Sequence, residues 1–131
     1  MHQASDERRR TVLTLLGPVP AKKNRWHRGK NGAVYFDRDG IEQEIDSLLL
    51  QARSQWKRPP AKHPAIIVTF HVRDARGDLD NKYSTLQDVL VDAGVLRNDN
   101  VKHLPGPIGF RGVVDKANER TVVEILEAEA A

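Results

Sequence analysis

The eight residues Ala65 to Val72 (AIIVTFHV) form a β-branched, almost wholly apolar run, and no other feature limits the fold as much. A run of this kind marks an interior strand, central in a sheet and covered on both faces. The rest of the chain must then supply neighbouring strands and covering layers. Thr11 to Leu16 (TVLTLL) reads as a strand ended by Gly17-Pro18-Val19-Pro20. Ala33 to Phe36 reads as a second, short strand behind the turn signals Gly29 and Asn31-Gly32. Thr121 to Leu126 reads as the last strand, with Ile108 to Val114 before it as its partner.

Helical spacing occurs in two places. Ile41, Ile45, Leu48, Leu49, Ala52 and Trp56 share one face of a helix that opens at Asp39-Gly40 and is stopped by Pro59-Pro60. Tyr83, Leu86, Leu90 and Ala93 share a face of a second helix, from Asp80 to about Ala93, with Gly94 as its left-handed cap. The order of elements predicts an α/β (α+β) two-layer domain, a mixed β-sheet with two helices packed on it. At 131 residues the chain suits one domain over 11–131, preceded by a flexible basic tail over 1–10. It contains no internal repeat.

The chain has no cysteine, so disulfides, thiolate nucleophiles and cysteine-held metals are excluded. No apolar run approaches the roughly 20 residues of a membrane span, and Met1 to Arg10 lacks the apolar stretch of a secretory signal, so a cytoplasmic protein with no membrane partner is expected. Charge is unevenly placed. Residues 1–36 carry eight basic residues against two acidic, a net of +6, whereas the remainder has 13 basic and 16 acidic, a net of −3. A basic front joined to an acidic body suits a protein that holds a polyanion and sets carboxylates beside it, although an ordinary solvated surface has the same totals.

Gly77-Asp78-Leu79-Asp80-Asn81, between the apolar strand and the second helix, carries the chemistry. On extended backbone, residues two apart project to one side, so Asp78 and Asp80 would aim at one point while Leu79 turns into the core. Like charges so placed either raise one pKa or hold a cation, and oxygen-only ligation favours Mg²⁺, or Mn²⁺, over zinc. The plainer reading makes Asp80 the helix N-cap and leaves Asp78 in a solvated turn. Asp99, in the polar turn Asn98-Asp99-Asn100, would join the pair if a strand beginning there ran beside Ala65 to Val72. Asp88 and Asp92 read as solvated. His27, His63, His71 and His103 have no ligand spacing, and His71 reads as a core histidine.

Lys22, Lys23, Arg25, Arg28 and Lys30 form a basic hairpin or loop suited to phosphate contacts. Trp26 among them either stacks on a splayed base or plugs its own hairpin.

Three segments resemble the RusA family of Holliday-junction resolvases: Pro18-Val19-Pro20-Ala21-Lys22-Lys23-Asn24-Arg25, Asp78-Leu79-Asp80-Asn81, and Leu90 to Asp99 (LVDAGVLRND). Together they cover most of Leu15 to Val101. The resemblance implies a homodimeric, Mg²⁺-dependent endodeoxyribonuclease that binds four-way DNA junctions and nicks two strands symmetrically, in recombination repair or phage DNA processing. It places metal-binding carboxylates at Asp78, Asp80 and Asp99, and DNA contacts on Lys22 to Lys30, with Asn24 and Trp26 among them. Two positions depart from the pattern. Asn98 replaces an acid frequent in the family, and Ser84 stands where a lysine is frequent. Lys82, or Lys102, is then the candidate cation for transition-state charge. The rival readings are a branched-DNA binding protein with a decayed metal site, marked by Asn98 and Ser84, and a metal nuclease acting on flaps or RNA.

Overall fold

The computed structural model describes residues 8–21, 26–28, 34–36, 38–97 and 106–128. Their elements are β1 (Arg8–Leu16), β2 (Trp26–Arg28), β3 (Val34–Phe36), α1 (Arg38–Gln55), β4 (Ala65–Val72), α2 (Leu79–Asp92), β5 (Ile108–Val114) and β6 (Arg120–Ala128). β1, β6, β4 and β5 lie side by side in that order in one mixed sheet, while β2 and β3 form a separate antiparallel hairpin. For β2 and β3 the backbone alone is described. Both helices pack on one face of the sheet, giving the two-layer α+β architecture that the element order predicts. Among the described residues no helix is long and apolar enough to cross a membrane.

The apolar run is β4, interior between β6 and β5. Its alternate residues Ile66, Val68 and Phe70 are buried with Leu13, Leu15, Val123 and Ile125 beneath Leu48, Ala52, Leu86 and Leu90 of the helices. No second layer covers the other face as expected: Ile67 there is 43% exposed, although Ala65 and Thr69 on the same face are buried. Both helices lie on the same side, and the far side carries charge, with Arg10 bonded to Glu124 at 2.6 Å. His71 points to that side too. It is partly exposed beside Arg120 and is not in the core.

Two further expectations change. Arg8, Arg9 and Arg10 belong to β1, paired with Ala128, Glu127 and Leu126, so the proposed tail over 1–10 is too long. Ile108 to Val114 forms a strand as predicted, but it pairs parallel to β4 and not with the last strand. β6 instead fills the place between β1 and β4, where its buried Thr121, Val123 and Ile125 complete the core face.

The outer edge of β1 is closed by side chains of α1. Gln55 accepts from the Thr14 N–H and donates to the Thr14 carbonyl, both at 2.9 Å. Gln51 does the same for Leu16, at 2.7 and 2.9 Å. Each amide thus stands in for one residue of a neighbouring strand, which blunts an edge otherwise open to foreign pairing. These contacts also set α1 antiparallel to β1, so its first turns lie toward the C-terminal end of β1.

Candidate functional site

Four segments meet at that end of the sheet. Gly17 leaves β1 and donates its N–H to the Glu119 carbonyl at 3.0 Å. The β5–β6 turn is joined to β4 by the Asp115 N–H on the Val72 carbonyl at 2.7 Å. The β4–α2 connection, residues 73–78, follows directly from Val72, and α2 begins there.

Gly77, at φ +114°, adopts a conformation that favours glycine and turns the chain into Asp78. Extended backbone ends at Asp78 (φ −103°, ψ 109°), and α2 starts at Leu79, one residue earlier than its periodicity predicts. The capping role considered for Asp80 therefore falls to Asp78. Its Oδ1 accepts from the N–H groups of Asp80 at 2.9 Å and Asn81 at 3.4 Å, amides that the helix itself cannot satisfy. Leu79 is partly buried against the core and closes onto β5, where a Cβ at Gly112 would stand 3.3 Å from its Cδ1. That contact seats the first turn of α2 on the sheet.

Asp80, the second helical residue, is exposed, as is Asp78. Oδ2 of Asp78 and both carboxylate oxygens of Asp80 have no hydrogen-bond partner among the described residues. These free oxygens fit a hard, oxygen-seeking cation such as Mg²⁺. Among the described residues no three His, Asp or Glu side chains gather to hold a metal. Asp99, the third carboxylate of the sequence reading, lies outside the described residues, as do Asn98 and Lys102. The strand beside β4 starts at Ile108, next to Ile66 and hence at the opposite end of the sheet from Asp78. Leu96, the bridge partner of Ala61, lies past the far end of α2.

Lys82 sits in the first turns of α2, and its Nζ donates to the Val19 carbonyl at 3.0 Å. Ser84 is exposed one turn beyond Asp80. Asp88 and Asp92 are exposed too, in keeping with their reading as surface residues. Lys22, Lys23, Asn24, Arg25 and Lys30 lie outside the described residues, whereas Trp26 and Arg28 are in β2, consistent with a hairpin in the basic segment. The described chain enters that segment through Val19 and Ala21 and leaves it through β3 into α1.

The sequence reading missed two cations. Arg73 and Arg76, five and two residues before Asp78, are both exposed in the β4–α2 connection. Arg76 pairs with Asp74 at 3.2 Å and holds that carboxyl below its ordinary range. Arg120 does the same for Asp115, at 3.0 Å across the β5–β6 turn. The spacing of Arg73 and Arg76 ahead of the acidic pair is a signal the sequence already contains. Further along α2, Tyr83 stacks on Phe110 with ring centroids 5.4 Å apart. Its hydroxyl is buried with no hydrogen-bond partner among the described residues, and burial pushes its pKa up to about 12.

Set against known proteins, the chain matches no family model and no curated protein, so the likeness to the resolvases rests on the three segments that carry it.

Proposed function

We propose that the protein is a Mg²⁺-dependent, structure-selective endodeoxyribonuclease that resolves four-way DNA junctions as a symmetric dimer. One observation carries the reading: the turn at Gly17 to Val19, from which the chain enters the basic segment, lies at the same end of the sheet where Asp78 and Asp80 expose carboxylate oxygens with no partner among the described residues. Phosphates held by Lys22 to Lys30, with Asn24 and Trp26 at the branch, would then lie beside carboxylates. Asp78 and Asp80 would hold the ion, with Asp99 as the third ligand that the resemblance implies, and the ion would neutralise charge on the phosphodiester and activate the attacking water. Capping leaves Asp78 one fixed oxygen on the helix and one facing outward, so its orientation is set before any ligand arrives. Paired cuts on opposite sides of a junction require two such sites in fixed relation, which a two-fold dimer supplies.

The capping role of Asp78 also favours a second reading, a branched-DNA binding protein without catalysis, since an N-cap aspartate needs no metal to account for it. The experiment that separates the two is cleavage of a synthetic four-way junction on addition of Mg²⁺, with linear duplex as control. The nuclease reading expects paired nicks in the junction alone. It also expects Asp78→Asn, Asp80→Asn and Asp99→Asn each to lower the rate by about 10³-fold or more while junction binding holds or tightens, because negative charge near phosphate is removed. Wild-type cleavage rates in Asp99→Asn would reject the three-carboxylate site, and binding without any cleavage would favour the second reading.

A further inference from the structure

We propose that Lys82 is a positioning residue: it ties the turn Gly17 to Val19, through which the chain enters the basic segment, to the first turns of α2, and so fixes that entry turn relative to Asp78 and Asp80. The inference rests on the nuclease reading and deepens it.

Gly17-Pro18-Val19-Pro20 has few means of holding its shape. Pro18 and Pro20 have no N–H, and Val19 makes no backbone hydrogen bond among the described residues. Three other anchors secure it. Gly17 is bonded to Glu119, the Val19 side chain is buried in the core at 2% exposure, and the Val19 carbonyl accepts from Lys82 Nζ at 3.0 Å. Of the two hydrogen bonds, the lysine's is the one that joins the turn to the helix that carries the carboxylates. Its bond is charge-assisted and partly buried, which makes it stronger than a neutral surface contact.

The lysine stem passes close to Gly77, where a Cβ would stand 3.6 Å from Lys82 Cε. The side chain thus spans from the residue before Asp78 to the residue three before Lys22. A cation serving the transition state must keep its donors for charge that appears only during reaction. Lys82 instead has a donor committed in the resting protein.

The test compares Lys82→Met, which keeps the stem and loses the donor, with Lys82→Arg, which keeps a donor. Three readouts are needed: single-turnover cleavage of a four-way junction at saturating protein, the salt dependence of junction binding without Mg²⁺, and hydrogen exchange at the Gly17 amide, whose bond to the Glu119 carbonyl holds the start of the turn. Each phosphate contact contributes about 0.9 to the slope of log affinity against log salt. A lysine acting as one phosphate contact would lower that slope by about one. Loss of positioning lowers it by more, because several contacts of the basic segment loosen together. The expected result for Lys82→Met is such a drop, with exchange at the Gly17 amide faster by about 10-fold or more and cleavage slower by about 10²-fold, the scale of a misplaced reacting group. Lys82→Arg restores all three. Unchanged exchange with a slope change of one or less overturns the proposal, whatever happens to the rate. Amides of β4 serve as the control for global unfolding. If wild-type protein neither binds nor cuts junctions, the nuclease reading fails, while the exchange readout still decides whether Lys82 holds the turn.

Discussion

Where β4 begins, Trp56 is buried, its Nε1 donates to the Pro59 carbonyl at 3.2 Å, and Arg58 lies over its ring at 3.5 Å while bonding Thr11 and Glu127 at 2.9 and 2.8 Å. Ala61 and Leu96, both buried, bridge beside it. Where β4 ends, the segments are held mainly by polar contacts: backbone bonds at Gly17 and Asp115, the Arg120–Asp115 pair, the lysine on Val19, and a cap in which Asp78 bonds helix amides. Side chains at the first end bury apolar and aromatic surface, and those at the second leave carboxylates and arginines facing water. Stability is therefore concentrated away from the residues proposed to act on DNA, which leaves those free to be chosen for chemistry.

Three measurements sharpen or break this division. Trp56→Ala removes a large buried ring and the surface on which Arg58 rests, so denaturant unfolding should show a loss of about 3–5 kcal/mol, with junction affinity unchanged in whatever fraction stays folded. A loss below about 1 kcal/mol would mean that the first end is not the stable one.

Tyr83→Phe bears on the region between the ends. Tyr83 has a folded-state pKa of about 12 against an ordinary value of 10.0. A raised value gives stability that is fully present below pH 10 and lost as the pH climbs toward 12, by about 2–3 kcal/mol for a shift of that size. Wild-type stability measured between pH 9 and 12 should fall accordingly, and the Phe variant should decline less over the same range. At neutral pH the variant should be the more stable by about 1 kcal/mol, since it removes a buried hydroxyl with no partner among the described residues.

The smallest effect is at the site itself. Asp78→Ala should cost about 1 kcal/mol through loss of the cap, Asp78→Asn much less, and Asp80→Ala close to nothing. Equal costs for Asp78→Ala and Asp80→Ala would show that the capping geometry does not set the stability of this turn.

Period and punctuation in the sequence were enough to locate both helices, the interior strand β4, the strands β1, β5 and β6, and the hairpin ahead of α1, because those signals are local. Tyr83, Leu86 and Leu90 fall on the buried face of α2 as their spacing requires. Which strands pair is a different matter. β5 and β6 are neighbours in sequence, yet β6 joins β1 and β4, since pairing partners are chosen by how the whole sheet buries its apolar face. The uncovered face of β4 was illegible for the same reason: an apolar run states that burial is sought, not on how many sides it is found.

At the site, sequence determined the residue types, oxygen ligands without cysteine, a basic segment, and an Asp-x-Asp pair at the start of a helix. Only the tertiary structure decided that Asp78 and not Asp80 caps α2, that Lys82 reaches back across Gly77 to the Val19 carbonyl, and that the turn leading to the basic segment lies at the same end of the sheet as the pair. Lys82 and Val19 are 63 residues apart. No local pattern encodes a bond of that separation, because it exists only once packing against a common core has brought the two segments together.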